Sequence, residues 1–338
     1  MLKAIKNSLL LLGLSSIALA EQGLVKNLEL PNSISEASKQ AISIVYQDKA
    51  PRPAPQSDAQ WLQLQSRLEV QFQTLFKDAV LGAYQPTLKS RKVADIPVLE
   101  ITPKNWQENK KRMLYFHGGA YTRFSPMSTL SSSVPVANDL NIKTLAVDYS
   151  LAPKANYQQI NDEALAVYQS LLESGHQAKD IILFGDSAGG GLVSTLSIRI
   201  AQEKLPQPAA LLLWSPWMDI AAKDDSMITL MDADPILERA DMKAAALAFA
   251  PNKAEWQNPL VSPIYGDLSK FPATLIQCGS REALLSQCIR LYQKLDDGHR
   301  KLKLDIYEGM PHVFQGFFFH IEEAVKARQK MKRFIESL

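Results

Sequence analysis

The sequence predicts an α/β fold: a mostly parallel central sheet with helices on both faces and a helical cap. Three observations carry that expectation. Seven short apolar runs suited to strands alternate with helical patterns along most of the chain. One of those runs turns into a helix through Gly185-Asp186-Ser187-Ala188-Gly189. Between Trp217 and about Pro259, more than forty residues of helical pattern interrupt the alternation. Strands that alternate with helices are joined by crossovers, which make neighbouring strands parallel and cover both faces of the sheet.

Composition fits one large domain with an accessory layer: 338 residues, 46% hydrophobic and 21% charged. Lys+Arg 37 against Asp+Glu 35 gives a net charge of +2. That balance argues for neither nucleic acid nor an anionic membrane surface as a partner.

In chain order, residues 1–20 read as a signal peptide. Lys3 and Lys6 precede an apolar run from Leu9 to Leu19 that closes on Ala18-Leu19-Ala20, a basic segment followed by a short core and a small-x-small cleavage site. Cleavage is expected before Glu21, with export to a periplasmic or secreted location; an uncleaved N-terminal tether is the alternative. The run is too short for a comfortable membrane span, and no cysteine follows the site to carry a lipid. No stable membrane insertion is therefore expected after cleavage. The mature domain, 21–338, opens with a stretch to about Pro55 rich in Ser, Gln, Ala and Pro. Trp61, Leu68, Phe72, Leu75, Phe76 and Val80 then recur at helical spacing.

Strands are predicted at Val93–Ile101, Arg112–Phe116, Lys143–Tyr149, Ile181–Phe184, Ala209–Trp214, Ala273–Cys278 and Leu302–Tyr307. Helices are predicted at Ser132–Leu140, Ile160–Ser174, Ala188–Lys204 and Glu282–Leu295. The excursion after Trp217 leaves the C-terminal end of a strand, where parallel sheets present their ligand crevice. About 21–82 and about 217–259 together form the expected cap. The basic cluster from Lys326 to Arg333 reads as the solvated face of a final amphipathic helix. An oxidising compartment would permit a disulfide between Cys278 and Cys288; two buried free thiols, one ending a strand and one inside a helix, are the other reading.

Ser187 sits where a strand must reverse into a helix within a few residues. That bend imposes strained backbone angles, and glycines two positions away on either side remove the collisions it would cause. The serine oxygen is thereby lifted towards free amides at a helix N-terminus, where negative charge is favoured, which suits a nucleophile. The phosphate-binding patterns G-x-G-x-x-G and G-x-x-x-x-G-K-[ST] are not met here.

After the strand at Met113–Phe116 comes His117-Gly118-Gly119-Ala120-Tyr121. Consecutive glycines let backbone amides approach a reacting carbonyl, so Gly118 and Gly119, with Ala188, are the expected oxyanion donors. His117 is expected to brace the loop rather than act as a base. Of the five histidines, His176 and His299 lie in polar turns, and His312 follows the last strand where it can reach back to the serine. His320, at a helix start, is the runner-up. The carboxylate that orients the base should follow the penultimate strand, and between Asp267 and Asp296 the sequence holds one acidic residue, Glu282.

These residues resemble the hormone-sensitive-lipase-like group of α/β-hydrolase esterases. The resemblance runs from about Pro86 to the end. It is carried by H-G-G-A-Y at His117, D-Y-S-L-A-P at Asp148, G-D-S-A-G-G at Gly185, S-P-W-M-D at Ser215, N-P-L-V-S-P at Asn258 and G-M-P-H-V-F at Gly309. It implies Ser187 as nucleophile, Glu282 as acid and His312 as base, with Gly118, Gly119 and Ala188 as oxyanion donors and a cap that includes the helix at Trp61. Three departures stand out: Ser150 replaces a usual Arg, Glu282 stands where Asp is common, and Ala120 replaces a third glycine. The reading that follows is an exported serine carboxylesterase acting on short acyl esters, a small-molecule substrate, with no metal or organic cofactor. A lactone hydrolase, amidase or deacetylase would use the same triad. A non-catalytic ligand-binding protein on this fold would be expected to lack the base. The oligomeric state is left open, a dimer included.

Overall fold

The computed structural model describes residues 30–47, 54–296 and 300–338. The proposed signal peptide and cleavage site, and His299, lie outside the described residues. Eight strands form one sheet: β1 Thr87–Val93, β2 Ile96–Thr102, β3 Arg112–Phe116, β4 Lys143–Val147, β5 Ile181–Asp186, β6 Ala210–Trp214, β7 Ala273–Gly279 and β8 Leu302–Tyr307. Their order is β1-β2-β4-β3-β5-β6-β7-β8. Pairing is antiparallel from β1 to β2 and from β2 to β4, and parallel from β4 onward.

The central strands are apolar on both faces because both are covered. In β3, β5 and β6, alternate residues enter two separate cores. Leu114, Phe116, Leu183, Leu211 and Leu213 face one; Met113, Tyr115, Ile182, Phe184, Leu212 and Trp214 face the other. Nine helices of five residues or more surround the sheet among the described residues: α1 Glu36–Gln47, α2 Asp58–Tyr84, α3 Leu130–Leu140, α4 Tyr157–Glu173, α5 Ala188–Gln202, α6 Asp225–Thr229, α7 Arg239–Phe249, α8 Leu285–Leu295 and, beyond the four-residue helix Phe314–Phe317, α9 Glu322–Glu336. Leu192 and Leu196 of α5 and Ile160 and Val167 of α4 pack on the first face. Val134 of α3 and Met331, Phe334 and Ile335 of α9 pack on the second. Full burial of each such side chain contributes roughly 1.5–3 kcal/mol.

The strand expected at Val93–Ile101 is instead a hairpin. Ala94 and Asp95, with φ of 49° and 62°, supply the paired positive φ values that a tight two-residue reversal requires. β1 escaped sequence reading because only Val93 is buried in it; Lys89, Arg91 and Lys92 line an exposed edge, where charge discourages pairing with another sheet. Helix α1 was also absent from the reading. Ile42 and Tyr46 secure it in a third apolar cluster with Met310, Phe314 and Phe318, while buried Ser38 hydrogen-bonds to Glu323.

Helix α2 is capped by Ser57, whose side chain accepts from the Gln60 amide at 3.3 Å. Trp61 joins the first core, and Phe76 and Val80 join the second, so the helix runs along the sheet edge past the loop that follows β3. Gln65 Nε2 donates to the carbonyls of Thr122 and Ala152 at 2.9 and 3.0 Å. From the other side, α7 closes on the same loop: Arg123 forms a bidentate pair with Asp241 at 2.8 and 2.9 Å, and Tyr121 stacks on Phe249 with ring centroids 3.8 Å apart.

Candidate active site

Strand β5 ends at Asp186, and α5 begins at Ala188. Between them Ser187 has φ 53° and ψ −121°, a conformation that costs a non-glycine residue about 1–3 kcal/mol. Three backbone hydrogen bonds hold it there. The Ser187 amide donates to the Trp214 carbonyl at 2.8 Å, and its carbonyl accepts from Gly191 at 3.1 Å and Trp217 at 2.9 Å. A Cβ at Gly185 would overlap the Gly189 carbonyl, and one at Gly189 would overlap the Phe116 carbonyl. Glycine is thus required on both sides of the bend because backbone passes directly over it.

His312 Nε2 lies 2.9 Å from Ser187 Oγ, and His312 Nδ1 lies 3.1 Å from Glu282 Oε2. The residues singled out as nucleophile, base and acid therefore form one hydrogen-bonded chain. Glu282 is fully buried and His312 nearly so, at 0% and 2% exposure, leaving solvent little part in their interaction. The two loops meet because Gly279 ends β7 against the backbone of Met310 and Pro311, and the Arg281 amide bonds to the Met310 carbonyl at 3.0 Å. Glu282 was expected to open a helix. It precedes α8, which starts at Leu285, in a run of turns that brings its carboxylate to His312.

Burial works against charge on His312, but the hydrogen bond and negative charge of Glu282, reinforced by Asp234 and Asp186, hold its pKa above the ordinary histidine value. Burial raises Glu282 as well, opposed by its hydrogen bonds to His312 and Ser215. Ser215 accepts the amide of Val313, the residue after His312, at 3.3 Å. Asp234 approaches from the excursion: its Oδ2 accepts the Ala283 amide at 2.9 Å, and its Oδ1 accepts the Ile236 amide at 2.9 Å. Neither Ser215 nor Asp234 carried a sequence signal for this position, because tertiary contacts alone bring them to Glu282.

The loop after β3 carries positive φ at three successive residues: Gly119 at 110°, Ala120 at 54° and Tyr121 at 62°. Burial raises the Asp186 pKa to about 6 even though the Tyr115 hydroxyl and the charge of His312 work to lower it; the Tyr115 hydroxyl donates to Asp186 Oδ1 at 2.6 Å. Gly118 packs directly against Asp186, where a Cβ would fall 2.5 Å from its Oδ2. The amides of Gly119, Ala120 and Ala188 donate to no acceptor among the described residues. Ala120 therefore stands beside Gly119 as a free donor, which the search for consecutive glycines overlooked.

His117 is fully buried and away from the serine. Its Nδ1 lies 2.8 Å from the Gly118 carbonyl, and its ring stacks on Tyr149 at 4.3 Å. The Tyr149 hydroxyl donates to the His117 carbonyl at 2.6 Å. Burial lowers the His117 pKa to about 4, so it braces the loop as a neutral ring. His176 lies half-buried before the N-terminal end of β5, opposite the serine, and His320 is exposed. At the position where an arginine is usual in the resembling family, Ser150 binds Glu163 with its amide at 2.7 Å and its hydroxyl at 2.6 Å. Cys278 and Cys288 are free, buried thiols. No helix among the described residues is long and apolar enough to cross a membrane.

A cleft of about 310 Å³ lies between α2 and α7, lined by Trp61, Pro153, Leu247 and Ala248 among others. A larger cavity of about 680 Å³, with Lys223, Arg239 and Trp256 in its wall, touches none of Ser187, Glu282 and His312.

A family model described as alpha/beta hydrolase fold matches residues 113–316. The chain is 32% identical over 226 residues to an esterase of Acinetobacter venetianus, covering 67% of this chain and 75% of that protein. It is 29% identical over 231 residues to an acetyl-hydrolase of Streptomyces hygroscopicus, covering 68% and 77%. Among solved structures, an esterase from the bacterial hormone-sensitive lipase family superposes with a TM-score of 0.78 at 27% identity, covering 90% of this chain and 98% of that one.

Proposed function

Because the chain belongs to the alpha/beta hydrolase family, within its hormone-sensitive-lipase-like esterases, we propose that it is an exported serine carboxylesterase that cleaves short acyl esters through Ser187, His312 and Glu282. The observation that carries this reading is the buried hydrogen-bonded chain from Glu282 through His312 to Ser187 Oγ. Glu282 fixes the imidazole with Nδ1 protonated, leaving Nε2 free to accept the serine proton.

Attack of Ser187 Oγ on the ester carbonyl forms a tetrahedral intermediate as His312 takes the proton. The oxyanion is received by the amides of Gly119, Ala120 and Ala188; the last begins α5, whose dipole adds to the field. Removing one such donor typically costs about 10²–10³ in turnover. The imidazolium, stabilised by the Glu282 carboxylate, then protonates the leaving alcohol. Water repeats the sequence on the acyl-enzyme and returns the serine. Lactone and amide substrates would engage the same groups, and the acetyl-hydrolase relative favours a small acyl ester as the first substrate to try.

The test is a fluorophosphonate probe on the purified protein. Stoichiometric labelling at Ser187, slowed by excess p-nitrophenyl ester present during labelling and abolished in Ser187→Ala, is the expected result. Absence of labelling in a folded protein that still binds esters would instead favour a non-catalytic binding role.

A further inference from the structure

Next to the Ser187–His312–Glu282 chain lies a cluster that ester hydrolysis leaves unused. Cys278 is the penultimate residue of β7, Cys288 sits in the first turn of α8, and both are fully buried. Cys288 Sγ lies 3.8 Å from Glu282 Oε1, the carboxylate oxygen turned away from His312. The two sulfurs and a Glu282 oxygen all fall within 4.8 Å of one another.

We propose that Cys278, Cys288 and Glu282 form a binding site for a thiophilic divalent cation, zinc or cadmium, whose occupancy silences the neighbouring hydrolytic site. Two sulfurs and one oxygen are the donor set that selects such ions over magnesium or calcium. Zinc–sulfur bonds of about 2.3 Å in a tetrahedron place ligand atoms roughly 3.8 Å apart. The Cys288–Glu282 separation already meets that spacing, and the remaining pairs need to close by no more than about an ångström.

On binding, two S–H bonds break, two sulfur–metal bonds and one oxygen–metal bond form, and two protons leave for solvent; nothing is oxidised or reduced. Because binding releases protons, affinity should rise with pH. Silencing follows from charge. A cation on Oε1 withdraws the Glu282 carboxylate from His312 and opposes the imidazolium that each proton transfer creates. That consequence rests on Glu282 serving as the triad acid, whereas the binding itself does not.

The experiment titrates the reduced full-length protein with cadmium, following the ultraviolet thiolate-to-metal charge-transfer absorption alongside hydrolysis of p-nitrophenyl acetate. The band should saturate at a single equivalent while activity falls at least about tenfold, in line with the cost of disturbing a group that orients a catalytic ligand. A chelator should reverse both. Ser187→Ala should show the same band with no activity, which separates the site from the hydrolytic reading; a band on a wild-type protein without esterase activity would uphold the site and overturn that reading alone. Cys278→Ala and Cys288→Ala should each lose the band and tolerate the metal. Cys288→Ser, nearly isosteric, repeats the test should the alanine variant fold poorly, and it should lose the band too. Absence of the band in reduced wild type, or inhibition undiminished in both cysteine variants, would overturn the proposal.

Discussion

The Asp234 carboxylate accepts the backbone amide of Ala283 at 2.9 Å, directly beside the carboxylate that faces His312. Asp234 belongs to the excursion between Trp217 and Pro259, so this bond fastens that segment to the loop that carries Glu282. Its negative charge also helps hold the His312 pKa up. Asp234→Asn keeps an oxygen for the Ala283 amide and removes the charge. The acid limb of kcat/KM, set by protonation of His312, should move to lower pH, because imidazolium formation loses a stabilising neighbour. An unshifted limb would show that Asp234 acts on Glu282 through backbone geometry alone.

Ser187→Ala and His312→Ala should each lower ester turnover by on the order of 10³-fold or more while leaving the thermal unfolding midpoint near that of the wild type. His320→Ala is the control: the ring is exposed and packs edge-on to Phe319. A large loss in His320→Ala without one in His312→Ala would reassign the base.

His117 gives stability a defined pH dependence. Its pKa in the folded protein is about 4, below the ordinary value near 6.5. Between those values the unfolded chain binds a proton that the folded one refuses. Stability from this residue is therefore complete above about pH 6.5 and falls as pH drops towards about 4, by on the order of 3 kcal/mol. Asp186, raised by burial to about 6, acts in the opposite sense, so the comparison must be with His117→Gln. Urea unfolding at several pH values should show a shallower acid loss in the variant; equal slopes would remove His117 from the account.

If residues 1–20 direct export, protein recovered from the exported fraction should begin at Glu21, because Ala18-Leu19-Ala20 closes the apolar run. N-terminal sequencing decides this, and an intact Met1 in that fraction would contradict it.

Sequence reading succeeded where one local period decides the structure. β3, β5 and β6 are largely apolar runs because both their faces are buried, and the bend at Ser187 announces itself through glycines that clear backbone crossings. It failed where side chains meet an environment that only the fold creates. β1 is an exposed, basic edge strand with no hydrophobic face to detect. Helix α1 buries Ser38, Ile42 and Tyr46 in one row, and the serine conceals the apolar stripe until Glu323 arrives to satisfy it. The same limit governed the site. Ser187, Glu282 and His312 are found by chain order and by elimination, since such chemistry needs few residue types. The approach of Asp234 and Cys288 to Glu282 depends on tertiary direction that no spacing encodes.

Substrate length should be set by the segments that close over the loop after β3. Tyr121 stacks between Phe249 and Trp217, and the Arg123–Asp241 pair, with its side chains only 8% and 17% exposed, pins α7 to the loop. Large rings held this way should limit the space open to an acyl chain on Ser187. Each added methylene of the acyl chain should improve kcat/KM by roughly 0.8 kcal/mol until the space is full, giving a maximum within about two to eight carbons, since a capped pocket buries a limited chain. Arg123→Ala and Asp241→Ala, by loosening α7, should shift that maximum towards longer chains and weaken the discrimination. A p-nitrophenyl ester series from acetate to palmitate measures both effects. Hydrolysis of emulsified long-chain triglyceride as rapid as that of butyrate esters would mean that these segments open into a lipid-binding groove, and the aromatic stack would then be a hinge rather than a wall.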